Sequence, residues 1–212
     1  MRVYVATKNR GKLREMEQIF ADSPLALATY ADYADPDEGD SSYAENAALK
    51  ARALHAQLAR ARLRGAVLAD DSGLEVMALD RRPGVLTAYY GGVELPWPQR
   101  RAHLLRELAT TASADRRARF VCAMHVIGED DREFATMATV DGLVADEDRG
   151  EGGFSFDPIF FSPALGRTFA EISDEEKNRI SHRAIAAAGL IALLRVAEAV
   201  DMPEKKFRHI GT

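Results

Sequence analysis

Apolar and polar positions along this chain switch between a helical and a strand period, and the switches predict its elements. Arg2-Val3-Tyr4-Val5-Ala6 predicts an opening strand. Gly11 then opens a helix from Lys12 to about Ala21, with Leu13, Met16, Ile19 and Phe20 on one face. Residues 22–41 show neither period and read as irregular, with acidic side chains at Asp35, Asp37, Glu38 and Asp40. Ser42-Tyr43-Ala44-Glu45 fits a capping box. The helix it starts runs to about Leu63, with Ala47, Ala51, Leu54 and Leu58 at helical spacing.

Ala66-Val67-Leu68-Ala69 predicts a short buried strand that stops at Asp70-Asp71-Ser72-Gly73, four residue types that favour turns. Leu74 to Leu79 alternates and predicts a further strand. Arg81-Arg82-Pro83-Gly84 is a turn. A helix begins at Pro98 and carries Leu104, Leu105 and Leu108. Arg119 to Ile127 and Glu133 to Val144 predict two long strands, followed by a glycine-rich loop from Gly150 to Gly153. Ser173-Asp174-Glu175-Glu176 is a second capping box, and a last helix runs from about Ser181 to Val200. Helices interleaved with strands, one pair of them a long hairpin, predict a mixed α/β fold, with residues 1–212 as one domain.

The chain has 212 residues, 47% hydrophobic and 29% charged, which suits a globular core built without staples. Its single cysteine, Cys122, excludes an internal disulfide and reads as a small core residue. A net charge of −5 argues against broad nucleic-acid binding. No apolar run approaches the roughly 20 residues of a membrane span, and no signal-peptide pattern opens the chain, so the expectation is a cytoplasmic protein.

Four segments bear candidate chemistry. Asp70-Asp71-Ser72-Gly73, at the end of a predicted strand, offers the hard oxygens that suit Mg²⁺, or is only a turn. Thr7-Lys8-Asn9-Arg10-Gly11-Lys12 lies at a helix start, where free amides and cations attract phosphate, or is a solvated basic turn. It is not a Walker A loop. Lys177-Asn178-Arg179-Ile180-Ser181-His182-Arg183 places cations in a first helical turn, where the dipole opposes them unless an anionic or acceptor-rich ligand is near, or is a lone exposed His on a basic helix start. Gly150-Glu151-Gly152-Gly153-Phe154-Ser155-Phe156-Asp157 offers glycines for close backbone approach and aromatics that could stack on a base, or is a mobile hairpin tip with core phenylalanines. Asp37 and Glu38 read as a solvated acidic loop.

The order of these segments is more specific than any one of them. Thr7-x-Asn9-x-x-Lys12, Glu45-Asn46-Ala47-x-x-Lys50-Ala51, Ala69-Asp70-Asp71-Ser72-Gly73-Leu74, Arg82-Pro83-Gly84-Val85, Gly153-Phe154-x-x-Asp157-Pro158-Ile159-Phe160 and Glu176-Lys177-Asn178-Arg179-Ile180-Ser181-His182-Arg183 follow one another along the chain. This set resembles the inosine/xanthosine triphosphate pyrophosphatase family, Ham-type hydrolases of deaminated purine nucleoside triphosphates. The resemblance implies a homodimer with a long twisted sheet flanked by helices, and two lobes with a cleft between them. It implies Mg²⁺-dependent cleavage between the α- and β-phosphates of ITP, dITP or XTP.

By the same resemblance, Asp71 is the general base and a magnesium ligand, and Asp37 or Glu38 supplies another carboxylate. Thr7 to Lys12 hold the triphosphate with Ser72 and Lys177. Phe154 to Asp157, His182 and Arg183 hold the base, through donors to its 6-oxo group. Neighbouring strand residues point to opposite faces, so Asp70 turns away from the substrate if the strand persists. The family's Phe-Gly-Tyr-Asp is Phe154-Ser155-Phe156-Asp157 here. Tyr89 stands where an arginine is common, and Met77 where an acidic residue is. Alternative readings are a related nucleotide pyrophosphatase with another base preference and a nucleotide-binding sensor without turnover.

Overall fold

The computed structural model describes residues 2–201. One mixed seven-stranded sheet runs through it, built from β1 (Arg2–Val5), β2 (Ala26–Ala28), β3 (Ala66–Val76), β4 (Arg117–Ile127), β5 (Glu133–Val144), β6 (Phe160–Ser162) and β7 (Arg167–Thr168). The strand order is β2-β1-β3-β4-β5-β6-β7. β1 pairs parallel with β2 and β3, and every later pair is antiparallel. Five helices flank the sheet: α1 (Arg10–Ile19), α2 (Tyr43–Arg60), α3 (Trp97–Thr110), α4 (Asp174–Ile180) and α5 (His182–Asp201). No single helix among the described residues is long and apolar enough to cross a membrane.

The local signals held where they were strong. The hairpin β4–β5 appears where two long strands were expected, with β4 starting two residues earlier, at Arg117. Ser173 and Glu176 form the full reciprocal capping box of α4. At α2 only half of the box forms: Ser42 Oγ accepts from the Glu45 amide, but the Glu45 carboxylate takes the Ser41 hydroxyl instead. Residues 22–41 are not wholly irregular, because Ala26–Ala28 adds an edge strand to β1. Cys122 is fully buried, and burial pushes its thiol up to about 12, as expected of an inert core residue.

The main correction concerns β3. The strand does not stop at Asp70-Asp71; it continues through Ser72 and Gly73 to Val76, in register with β4 throughout. The stretch read as a further strand, Leu74 to Leu79, is the end of β3 followed by a 3₁₀ turn at Met77–Leu79. Pairing with β4 supplies the backbone partners that turn residues would otherwise seek locally. The strand that does end here is β1, whose last pairing to β3 is Val5 with Leu68. Beyond that point one edge of β3 is free of a neighbouring strand, and its acidic residues lie there.

This free edge is covered by the 3₁₀ segment Gly84–Ala88. Thr87 Oγ1 accepts the Leu74 amide at 2.9 Å and donates to the Gly84 carbonyl at 2.6 Å. The approach requires glycine at position 73, where a Cβ would lie 2.3 Å from the Gly84 carbonyl oxygen and 2.6 Å from Thr87 Oγ1. Gly73→Ala is expected to destabilise the protein by about 2 kcal/mol or more, since the obstacle is backbone. Urea unfolding of the variant measures it, and an unchanged midpoint would contradict the packing described.

Strand alternation gives the sheet two buried faces. Leu68, Cys122 and Met124 pack with α1 and α5, whereas Val67 and Ala69 pack with α2. Asp70 and Asp71 follow the same rule and fall on opposite faces.

Candidate active site

Past the end of β1, a pocket of roughly 210 Å³ opens to solvent. Its wall brings together most of the residues singled out from sequence: Thr7, Lys8, Asn9, Lys12, Glu38, Asp71, Ser72, Phe154, Ser155, Asp157, Lys177, His182 and Arg183. Four expected residues do not line it. Arg10 is exposed on α1, and Asp37 is exposed while its neighbour Glu38 turns in. Phe156 is fully buried in the core against Trp97, so it cannot stack on a ligand. Gly11 lies beneath the Phe154 ring, where a Cβ would come within 2.8 Å of it. Its smallness serves aromatic packing rather than phosphate approach.

The start of α1 differs from expectation in a second way. Asn9 Oδ1 caps the helix by accepting from the amides of Gly11 and Lys12, at 2.9 and 3.1 Å. Thr7 Oγ1 in turn accepts from the Asn9 amide at 3.1 Å. Two of the amides that a phosphate would seek are therefore already satisfied, and the positive character of this corner comes chiefly from Lys8 and Lys12.

Asp71, 5% exposed, faces α2. Lys50 Nζ lies 2.9 Å from Asp71 Oδ1 and 2.9 Å from Glu38 Oε2, holding two carboxylates around one ammonium. Asn46 Nδ2 approaches Asp71 Oδ2 at 3.4 Å and also ties down Gly39. Burial raises the Asp71 pKa above the ordinary carboxylate value, against the opposing pull of Lys50 and Lys12. Lys50 and Asn46 had no individual role in the sequence reading. The signal was present: both sit in the apolar stripe of α2 with Ala47, Ala51 and Leu54, where a charged side chain is out of place without a buried partner.

On the opposite face, charges alternate along a buried chain. Lys12 pairs with Asp70 at 3.1 Å, Asp70 with Arg183 at 3.0 Å, Arg183 with Glu15, Glu15 with Lys177 at 2.6 Å, and Lys177 with Asp157 at 2.6 Å. Burial would raise Asp70, but Lys12, Arg183 and Lys50 outweigh it and hold Asp70 well below the usual carboxylate range. Glu15 was not anticipated, although it stands on the inward face of α1 beside Met16. Arg183 also donates to Ser72 Oγ at 2.9 Å, so most of its guanidinium is occupied within the protein.

The loop after Gly153 splits its two phenylalanines by a left-handed residue, Ser155, at φ +58°. Phe154 stays on the pocket wall, with Lys177 Nζ 4.8 Å from its ring centroid, while Phe156 enters the core. Asp157 Oδ2 accepts the Phe154 amide at 2.7 Å and closes the turn.

His182 stacks on Phe120 at 4.7 Å between centroids, and its buried Nδ1 has no hydrogen-bond partner among the described residues. Burial, then the nearby Arg183 and Lys177, hold its pKa well below 6.5, so it is neutral at physiological pH. The unfolded chain binds this proton below about pH 6.5 and the folded chain does not, so stability falls as pH drops through that region. The slope from this group is at most about 1.4 kcal/mol per pH unit. His182→Gln should flatten the decline between pH 6.5 and 5 in thermal melts, and an unaltered slope would place the titration elsewhere.

Comparisons with known proteins identify the family of the chain. A profile described as the Ham1 family matches residues 3–193. A dITP/XTP pyrophosphatase of Geobacillus kaustophilus is 46% identical over 191 residues, covering 89% of this chain and 91% of that protein. One from Thermus thermophilus is 42% identical over 193 residues, covering 90% of each. Among solved structures, the Staphylococcus aureus Ham1 protein superposes with a TM-score of 0.77 at 37% identity, over 93% of this chain and 100% of that one. A HAM1 protein from Coxiella burnetii gives 0.79 at 33% identity, over 92% and 99%. With a profile matching nearly its whole length and relatives of this identity and coverage, the chain belongs to the Ham1 family.

Proposed function

We propose that this chain hydrolyses deaminated purine nucleoside triphosphates, ITP, dITP and XTP, to the nucleoside monophosphate and pyrophosphate with Mg²⁺. The names of its relatives support the substrate class. The observation that carries the chemistry is Asp71, a buried carboxylate with a raised pKa in a pocket that also holds Lys8, Lys12 and Lys50.

Phosphoanhydride cleavage needs positioning and charge neutralisation more than covalent help. Lys8, Lys12 and Lys50 neutralise the triphosphate, and Thr7 and Ser72 add hydroxyl contacts. Lys177 is held between Glu15 and Asp157, so it serves the base-side loop more than the phosphates. Asp71 takes the proton of the attacking water at its carboxylate oxygen, which its raised pKa favours.

The donor set suits Mg²⁺: Glu38 and Asp71 already share one cation, and Mg²⁺ favours one or two carboxylates with substrate phosphates. Among the described residues no group of three or more His, Cys, Asp or Glu side chains is arranged to hold a metal, so phosphates and water complete the shell. Glu38 rather than Asp37 is the second ligand. Bound there, Mg²⁺ supplies charge neutralisation and acidifies water.

Base choice rests on His182 more than on Arg183. A neutral imidazole has one N–H to offer a 6-oxo acceptor, whereas Arg183 is spent on Glu15, Asp70 and Ser72. Against the 6-amino group of adenine that donor is left unpaired, a mismatch that discriminates strongly. A second reading keeps the reaction and alters the base, and is favoured by Ser155 and Tyr89 on the pocket wall. The homodimer and cytoplasmic location implied by the resemblance belong to the same proposal.

The test is incubation with Mg²⁺ and a nucleotide panel, separating pyrophosphate from orthophosphate. Pyrophosphate from ITP, dITP and XTP, with little turnover of ATP, is expected. Orthophosphate alone would refute α–β cleavage, and equal rates on ATP and ITP would refute oxo recognition.

A further inference from the structure

Arg101 does not line the pocket, yet it is 8% exposed and each of its three guanidinium nitrogens makes a hydrogen bond. It stands on α3 one turn after Trp97, whose ring packs on Phe156. Its Nε lies 2.9 Å from both Asp148 carboxylate oxygens, and Nη2 lies 2.6 Å from Oδ2. Its Nη1 donates to the Ser155 carbonyl at 2.8 Å. One planar guanidinium thus joins α3, the segment after β5 and the loop that presents Phe154.

Ser155 is the residue that needs such a hold. Its φ of +58° is a conformation in which side chains are strained, and glycine is the residue that adopts it freely. If residue 155 relaxes to a right-handed conformation, the alternation that sends Phe154 to the pocket and Phe156 to the core is lost. Asp157 secures the Phe154 amide from one side, and the Arg101 contact with the Ser155 carbonyl secures the peptide from the other.

We propose that Arg101 is a positioning residue for base binding: it holds the Ser155 peptide in its left-handed turn and so fixes Phe154 on the pocket wall. This rests on the reading above, in which Phe154 faces the base of a nucleoside triphosphate. Arg101 touches no part of the substrate. Lysine cannot replace it, because a point charge satisfies Asp148 but does not fork to a second acceptor.

The experiment compares the wild-type chain with Arg101→Gln and Arg101→Lys, using ITP as substrate and inorganic tripolyphosphate as a baseless competitor. The expected result is a rise of about tenfold in KM for ITP in Arg101→Gln, from the loss of a charged hydrogen bond to the loop. kcat stays within about twofold, and tripolyphosphate inhibits as before, because the phosphate side of the pocket is untouched. Arg101→Lys is expected to recover little. Adding Ser155→Gly to Arg101→Gln restores part of the KM, since glycine takes the left-handed turn unaided. An unchanged KM for ITP, or a parallel weakening of ITP and tripolyphosphate, overturns the proposal. Amide hydrogen exchange without nucleotide separates the two readings: faster exchange around residues 153–157 is expected in Arg101→Gln, with β4 unchanged. Absence of that change overturns the role of Arg101, whereas failure of the wild type to hydrolyse ITP overturns the proposed function.

Discussion

Asp71→Asn is expected to lower turnover of ITP by about 10²–10⁴-fold, the usual contribution of a positioned general base. The substitution is nearly isosteric. It leaves the strand pairing of Asp71 with Ala123 in place. What it removes is the proton acceptor and half of the carboxylate pair around Lys50. Nucleotide affinity without metal should change little, because Lys50 is released to the phosphates. Single-turnover kinetics paired with equilibrium binding separate the two quantities. Turnover within a few-fold of wild type would remove Asp71 from the base role. In the wild type the acid limb of kcat/KM, which reports the free enzyme, should lie above the range of an ordinary aspartate, since burial raises the Asp71 pKa.

Lys177→Met is expected to cost about 3–5 kcal/mol of stability, the usual effect of removing one partner from a buried ion pair. Lys177 is 3% exposed and lies 2.6 Å from both Asp157 and Glu15, which are themselves buried. Burial already raises the Asp157 pKa against the pull of Lys177, and without the lysine it rises further. A carboxyl whose folded pKa is raised binds more protons folded than unfolded, so its stabilisation grows as pH falls. The defect of Lys177→Met should therefore shrink on going from pH 7 towards pH 5. Adding Asp157→Asn should recover part of it. Urea midpoints at the two pH values provide the measurement, and a constant defect would mean that the lost packing, not the orphaned charge, dominates.

Elements set by local signals were legible in the sequence: the α4 capping box, the two long strands β4 and β5, and the last helix are each encoded within their own segments. β3 was not, because nothing local tells a strand to continue through two aspartates, a serine and a glycine. That continuity depends on pairing with β4 and on cations delivered by three separate helices, Lys12 from α1, Lys50 from α2 and Arg183 from α5. The expected opposition of Asp70 and Asp71 came from strand geometry alone and holds. Most of the candidates drawn from the motif order line one pocket. Phe156 lies off that wall because the left-handed turn at Ser155 sends the two aromatics to different sides, and the serine itself gives no sign of such a turn; the glycine of the family pattern at this position does. Lys50 and Glu15 could have been found by asking why a charge occupies the inward stripe of a helix.

Trp97 has a practical consequence. It is the chain's single tryptophan, it lines the pocket, and its ring meets Phe156 at 5.3 Å and the Arg100 guanidinium at 4.8 Å. All of the intrinsic tryptophan emission of this protein therefore originates at one wall of the pocket, beside the loop that carries Phe154. The molecule contains its own optical reporter, and occupancy of the pocket can be followed on unlabelled protein.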